Sequence, residues 1–175
     1  LDAGDRVGCL GCAGRRSALS PGAGACGVGA SCQNSGMDAS TYTLTTAPPP
    51  LEEYLALRQL SGLTPKRAEQ AGPALANSWA WRTVQTQSGQ TVAMGRVVGD
   101  GGWYFLVADM ATLPEHQKKG LGRAVLGALL DEIRDRAPAG AYVTLMADPP
   151  GQRLYEQLGF ERPTNGSISM HRRIG

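Results

Sequence analysis

The chain is poor in cysteine, histidine and aromatic residues, and it has no long hydrophobic run. Its 175 residues include four cysteines and two histidines, and the net charge at pH 7 is only +2. A charge so close to zero gives no electrostatic footprint for nucleic acid, so we expect no nucleic-acid partner. No apolar stretch approaches the roughly 20 residues of a membrane helix, and no segment has the layout of a signal peptide. We therefore expect a cytoplasmic protein that does not associate with membranes.

All four cysteines lie in residues 1–36, a segment that also lacks Phe, Tyr, Trp and Ile. So little apolar bulk cannot offset the entropy of ordering a chain, which predicts a disordered or non-native leader. Cys9 and Cys12 have the C-x-x-C spacing of half a zinc site, but Cys26 and Cys32 are six residues apart and supply no second half. We expect no metal. Met37 is the expected natural start, followed by one globular domain over residues 37–175.

Hydrophobic periodicity after Met37 predicts strands and helices in alternation. The predicted strands are Tyr42–Ala47, Trp79–Thr86, Thr91–Val98, Trp103–Ala111 and a largely buried Ala141–Ala147, with short last strands at Phe160–Glu161 and Ile168–Arg172. The predicted helices are Leu51–Leu60, a second one capped by Thr64 and ending near Ala71, Leu121–Arg136, and a short one that begins at Pro149. Short turns in the middle of the chain favour an antiparallel meander, and the strand–helix–strand crossover over 103–147 adds a parallel pair. We predict an α/β (α+β) fold with a mixed, mostly antiparallel central sheet and helices on both faces.

The segment Gln117–Arg123 joins a predicted strand to the longest helix and reads QKKGLGR. Its two glycines let the backbone curl tightly towards a ligand, and the free N–H groups of the helix start attract an anion. Two lysines and an arginine add positive charge, so a pyrophosphate is a suitable ligand. The segment lacks the Lys-Ser/Thr pair of a P-loop and the third glycine of a dinucleotide fingerprint, which disfavours ATP binding. A tight turn with a solvated basic rim is the structural alternative.

Three motifs in this order resemble the GNAT superfamily of N-acetyltransferases. The loop matches its Q/R-x-x-G-x-G/A signature through Gln117, Gly120 and Gly122. The run VADMATLPEH over 107–116 looks like the family's fourth strand, and RLYEQLGF over 153–160 looks like its helix-to-strand motif. The resemblance covers about residues 41–173.

The resemblance implies that acetyl-CoA binds in a cleft between the splayed strands over 103–111 and 141–147. The pantetheine arm would pair with the first of these strands, and the pyrophosphate would rest on the glycine-containing loop. The implied cofactor-binding residues are Met110, Ala111, Thr112, Gln117, Lys118, Lys119, Gly120, Leu121, Gly122 and Arg123.

Catalysis is then expected to be direct, because residues 38–175 contain no cysteine for a covalent thioester intermediate. A backbone N–H near Met110 would stabilise the oxyanion. By its position in the family motif, Tyr155 is implied as the general acid for the leaving thiolate. Asp109 is a carboxylate in an otherwise apolar strand, which makes it a candidate general base or, equally, a structural hydrogen-bond partner. Glu115 and His116 are expected to be exposed loop residues.

The predicted function is transfer of an acetyl group from acetyl-CoA to the primary amine of a small molecule by a monomer or homodimer. Acetylation of a protein lysine or N-terminus is the first alternative, and a non-catalytic acyl-CoA sensor is the second. The amine pocket is expected from the first two helices and the hairpin strands. Its candidate residues are Tyr54, Arg58, Leu63, Trp81, Arg96 and Trp103.

Overall fold

The computed structural model describes residues 37–164 and 166–173, and the predicted leader, with Cys9 and Cys12, lies outside these ranges. The strands are β1 (Tyr42–Thr45), β2 (Ala80–Thr86), β3 (Thr91–Gly99), β4 (Tyr104–Thr112) and β5 (Tyr142–Leu145). The helices are α1 (Leu51–Leu60), α2 (Ala68–Asn77), α3 (Leu121–Arg136) and α4 (Gln152–Gln157), with short 3₁₀ turns at Pro114–His116 and Pro149–Gly151. No helix in this part of the chain is long and apolar enough to cross a membrane.

The five strands form one sheet in the order β1-β2-β3-β4-β5. The first three pairings are antiparallel and the β4–β5 pairing is parallel, so the predicted mixed, mostly antiparallel sheet is confirmed. Tyr54 of α1 packs edge-on against Trp81 on one face of the sheet. Gly95 faces Val125 and Leu129 of α3 on the other face. The predicted arrangement of helices on both faces is therefore also confirmed.

Helix α3 has the limits that its sequence pattern predicts. Its apolar stripe is buried against the sheet through Leu121, Val125, Leu126, Leu129 and Ile133. Arg134 bonds Asp131 at the surface, whereas Glu132 is half-buried and bonds both Arg136 and Arg82 of β2. The helix ends before Pro138, which cannot continue it.

Helix α2 differs from its prediction at both ends. It begins at Ala68 because the carbonyl of Thr64 is engaged elsewhere, accepting bonds from Nε and Nη2 of Arg58 at 3.1 and 2.8 Å. It also continues through Pro73 to Asn77. A proline removes one helical hydrogen bond, here to the carbonyl of Glu69, and Glu69 is exposed so that water can bond it instead.

Strand β5 is shorter and more exposed than the buried strand predicted over Ala141–Ala147. Within the described ranges no strand pairs with its outer edge. Tyr142 and Met146 are consequently 56% and 62% exposed. Its apolar composition is that of a central strand, but its place is at the edge of the sheet.

The last two predicted strands, Phe160–Glu161 and Ile168–Arg172, do not form in the described residues. The N–H of Phe160 instead donates to the carbonyl of Tyr155 at 3.1 Å and ends α4. Ile168 and Met170 are 78% and 86% exposed. A strand is stabilised by its neighbours and by burial, and this segment has an alternating pattern without either.

Gly95 is required where β3 passes under Met110 and α3. A Cβ there would lie 2.5 Å from Sδ of Met110 and 2.8 Å from Cγ1 of Val125. We expect Gly95→Ala to lower the free energy of unfolding by about 1–3 kcal/mol through overpacking, as measured by urea denaturation. The matched control is Gly127→Ala on α3, whose Cβ meets nothing within 4 Å. It should raise the free energy of unfolding by about 0.5–1 kcal/mol. A Gly95→Ala variant as stable as the unsubstituted protein would contradict this packing.

Candidate active site

Strands β4 and β5 separate in the middle of β4. Their parallel pairing runs from Tyr104–Tyr142 to Val107–Leu145 and ends there. β4 continues to Thr112, and among the described residues only β3 lies beside this part of it. The two strands therefore leave a wedge at the carboxyl end of β4, with the backbone of 108–112 along one side.

A β-bulge in β4 coincides with the start of this wedge. The β3–β4 register shifts between Met94–Ala111 and Arg96–Ala108, so two residues of β4 oppose one residue of β3. The first bulged residue, Asp109, has φ +54°, a left-handed conformation uncommon for any residue but glycine. The bulge sends the side chains of its two residues to opposite faces of the sheet.

The carboxylate of Asp109 is held by three donors. The Tyr54 hydroxyl and Nε of Arg96 each donate to Oδ2 at 2.6 Å, and Nη1 of Arg58 donates to Oδ1. Burial by itself would raise the pKa of Asp109, but the Tyr54 hydrogen bond and the two guanidiniums outweigh it and lower the pKa below its ordinary value. A carboxylate with a lowered pKa is a weak proton acceptor. Its general-base role stays a prediction, and the structural alternative has the geometry in its favour.

This lowered pKa predicts how stability depends on pH. The stabilisation by Asp109 is complete above the unfolded-state pKa of about 3.9 and is lost as the pH falls through the lower folded-state pKa. The difference in unfolding free energy between the unsubstituted protein and Asp109→Asn should be constant above about pH 5 and narrow below about pH 4. Urea unfolding across this range measures it. Asp131→Asn, which removes a surface ion pair with Arg134, should change stability little at any pH.

A turn rich in unpaired N–H groups lies at the end of the wedge and leads into α3. Gly120 is the residue before the helix, with φ +79°, and no side chain caps the helix start. The N–H groups of the first helical turn have no acceptor within the helix, so they can bind an anion. The N–H of Gln117 donates to Pro114 at 3.2 Å and is already used, which leaves residues 118–123 of the predicted set. The side-chain Nε2 of Gln117 donates a hydrogen bond to the carbonyl oxygen of Thr112 at 3.2 Å.

The surroundings of this turn hold it in place. Leu154 of α4 lies over Gly122, where an added Cβ would be 3.4 Å from Cδ2. The hydroxyl of Tyr42 and Nδ1 of His116 are hydrogen-bonded at 2.9 Å, so His116 is half-buried rather than exposed, whereas Glu115 is exposed as predicted. A cavity of about 340 Å³ lies beside the turn. It is lined by Asp38, Thr41, Tyr42 and Lys119.

Tyr155 is half-buried on α4, the helix that packs beside the start of α3. Its ring meets Phe160 edge-on at 6.2 Å and lies close to Gly151, where a Cβ would be 2.7 Å from the ring carbon Cε2. In the described part of the chain its hydroxyl makes no hydrogen bond. Burial raises the pKa of Tyr155, and the nearby Asp148 carboxylate raises it further. The phenol therefore keeps its proton at neutral pH and is available as a donor.

Three of the residues predicted for an amine pocket bond Asp109 at the start of the wedge: Tyr54, Arg58 and Arg96. Tyr54, Arg58 and Trp81 are buried in this structure. Trp103 is exposed, but it precedes β4 at the end opposite the wedge. The periodicity correctly placed Tyr54 and Arg58 on a helix and Trp81 on a strand. All three are buried because α1 packs on the sheet.

The chain is similar to known acetyltransferases. A family model described as an acetyltransferase (GNAT) domain matches residues 78–162. Serotonin N-acetyltransferase 2, chloroplastic, of Oryza sativa subsp. japonica is 31% identical over 102 residues, which are 57% of this chain and 50% of that protein. The ribosomal protein bS18-alanine N-acetyltransferase of Escherichia coli is 37% identical over 82 residues, which are 45% of this chain and 53% of that protein. The chain thus spans about half the length of these curated relatives.

Solved structures match more of the chain, and one of them is more than 30% identical to it. It is a protein of unknown function from meticillin-resistant Staphylococcus aureus, described as a probable acetyltransferase. The TM-score is 0.72 at 32% identity, and the match covers 76% of this chain and 99% of that one.

Proposed function

The chain belongs to the GNAT family of acetyltransferases, and from this premise we propose that it moves an acetyl group from acetyl-CoA directly to the primary amine of a small molecule. The observation that carries the proposal is the wedge beyond Val107 and Leu145, which opens beside the uncapped start of α3. A thioester arm and a pyrophosphate need these two features next to each other. The family is one of acyltransferases, so the enzyme class follows from membership.

In this proposal acetyl-CoA lies along the free side of β4. Its pantetheine arm pairs with the backbone of Met110, Ala111 and Thr112, as an added strand would. Its pyrophosphate accepts from the N–H groups of residues 118–123, and the charges of Lys118, Lys119 and Arg123 neutralise it. The left-handed Gly120 supports this binding, because it leaves the helix start bare of any capping side chain.

The reaction that fits this geometry is a direct acyl transfer. The amine nitrogen attacks the thioester carbonyl carbon, forms the C–N bond and puts negative charge on the oxygen, which a backbone N–H of the bulged strand stabilises. The tetrahedral species collapses, the C–S bond breaks, and the leaving thiolate takes the proton of the Tyr155 hydroxyl. Before the attack, the ammonium form of the acceptor loses one proton to water or another base. After the attack, the nitrogen loses a second proton, which returns by way of water to the Tyr155 phenolate and restores the phenol. Positioning by the wedge supplies much of the rate enhancement.

Three observations bear on the acceptor. The 31% identity to a serotonin N-acetyltransferase supports a small amine, and so does the neutralisation of Asp109, which removes the one carboxylate of β4 as a binding site for a polycation. The 37% identity to the bS18-alanine enzyme favours a second candidate function, acetylation of a protein N-terminal alanine.

The experiment that tests the proposal follows thiol release from acetyl-CoA with a panel of acceptors. Arylalkylamines, polyamines, amino sugars, Lys peptides and peptides with N-terminal alanine cover both candidates. Thiol release above the acceptor-free rate with a small amine alone supports the proposal, and release with the alanine peptide alone replaces it with the second candidate. Silence across the panel with CoA still bound in calorimetry favours a non-catalytic acyl-CoA sensor.

A further inference from the structure

Four side chains form an ionic cluster at the bulge of β4, here called the Asp109 cluster: Tyr54, Arg58, Arg96 and Asp109. The Asp109 side chain is 11% exposed, and each of its oxygens accepts from a guanidinium. Arg58 also donates twice to the carbonyl of Thr64, so the α1–α2 loop is tied to the same carboxylate. The cluster thus links α1, the α1–α2 loop and β3 to one residue of β4.

That one residue is the strained residue of the bulge. A non-glycine residue with φ +54° persists only where its surroundings over-determine it. Three donors on one carboxylate provide that constraint from one face of the sheet. From the other face, Met110 fills the space over Gly95 and beside Val125 of α3. Contacts on both faces of the sheet therefore hold the bulge in place, and the bulge lies where β4 separates from β5.

We infer that the Asp109 cluster is a positioning device that holds β4 in its bulged path and keeps the wedge open for the acyl end of acetyl-CoA. Asp109 then acts through the backbone of Met110 and does not accept the proton of the amine. This inference rests on the proposed function. Both carboxylate oxygens are already occupied by charged donors, and the paired charges are almost fully withdrawn from solvent.

The test compares the Kd for CoA, measured by calorimetry, in three folded variants. Asp109→Asn keeps the size of the side chain but loses the ion pairs, and it should raise the Kd for CoA about tenfold or more, because small displacements at a site cost much binding. Tyr54→Phe removes one donor from a buried ring and should raise the Kd about threefold in the same direction. The matched control is Glu132→Gln, which breaks the half-buried ion pair between Glu132 of α3 and Arg82 of β2.

The control separates positioning from general stability. Glu132 is roughly 16 Å along α3 from the helix start, at 1.5 Å per residue, so its loss should leave the Kd for CoA unchanged. An unchanged Kd in Asp109→Asn would overturn the inference. Turnover that is lost near neutral pH but recovers at high pH, where the amine is already deprotonated, would then show a general base. An equal rise in Kd in Glu132→Gln would overturn it as well.

A second readout needs no ligand. Amide hydrogen exchange in peptides covering 104–113 should be faster in Asp109→Asn and Tyr54→Phe than in Glu132→Gln, because the first two variants weaken the contacts that hold β4 in its bulged path. If the unsubstituted protein does not bind CoA, the proposed function fails, and this exchange pattern still decides the cluster's role. Unchanged protection of β4 in Asp109→Asn rejects the positioning device. If Asp109→Asn does not fold, Tyr54→Phe answers the same two questions.

Discussion

Tyr155→Phe is expected to lower kcat by about 10²–10⁴-fold, the range that one general acid contributes. The substitution removes only the hydroxyl, so the ring should still pack against Phe160 and beside Gly151. The Kd for acetyl-CoA should stay within about twofold, because the proposed hydrogen bond to sulfur strengthens only as the thiolate leaves. Steady-state kinetics with the best acceptor and calorimetry with CoA measure the two quantities separately.

The control for this substitution is Tyr104→Phe. Tyr104 is an exposed tyrosine at the other end of the β4–β5 pair, next to Tyr142. Its loss should leave kcat unchanged. Because burial and the Asp148 carboxylate raise the pKa of Tyr155, ionisation of this phenol should not limit turnover below about pH 10. Full activity of Tyr155→Phe would remove this residue from the mechanism.

Gly120→Glu is expected to raise the Kd for CoA at least about 100-fold, or roughly 2.7 kcal/mol of binding free energy. Gly120 has φ +79°, which disfavours any side chain, and it directly precedes the N–H groups proposed to bind the pyrophosphate. A glutamate there adds a negative charge that competes with the anion for the helix start. Calorimetry with CoA measures the loss.

A matched variant separates the effect of the charge at the proposed pyrophosphate site from the backbone strain of a side chain at positive φ. Gly140→Glu introduces the same charge at φ +88°, in an exposed position where a Cβ meets nothing within 4 Å. It lies beyond the carboxyl end of α3, far along the helix from the loop, and should leave the Kd for CoA unchanged. Normal CoA binding by Gly120→Glu would contradict the pyrophosphate assignment.

The structure bears out the sequence most closely where the signals are local. The limits of α1 and α3 follow from apolar spacing and from the prolines beside them, and those signals act within a few residues. The middle strands fall within one residue of their predicted limits, because glycine-containing turns separate them. α2 was harder, because the contact that shifts its start joins Thr64 to Arg58, and no local pattern contains that contact.

For the candidate site, the sequence by itself determined the loop, the long helix behind it and the place of Tyr155 in a motif typical of the family. Glycines, basic residues and a helix start are neighbours along the chain, so their chemistry can be predicted without the fold. Only the tertiary structure decided which groups surround Asp109. Its partners come from α1 and β3, and packing is what brings Tyr54, Arg58 and Arg96 onto one carboxylate. Exposure at β5 is decided in the same way, because a strand's place at the edge of a sheet depends on which other segments pair with it.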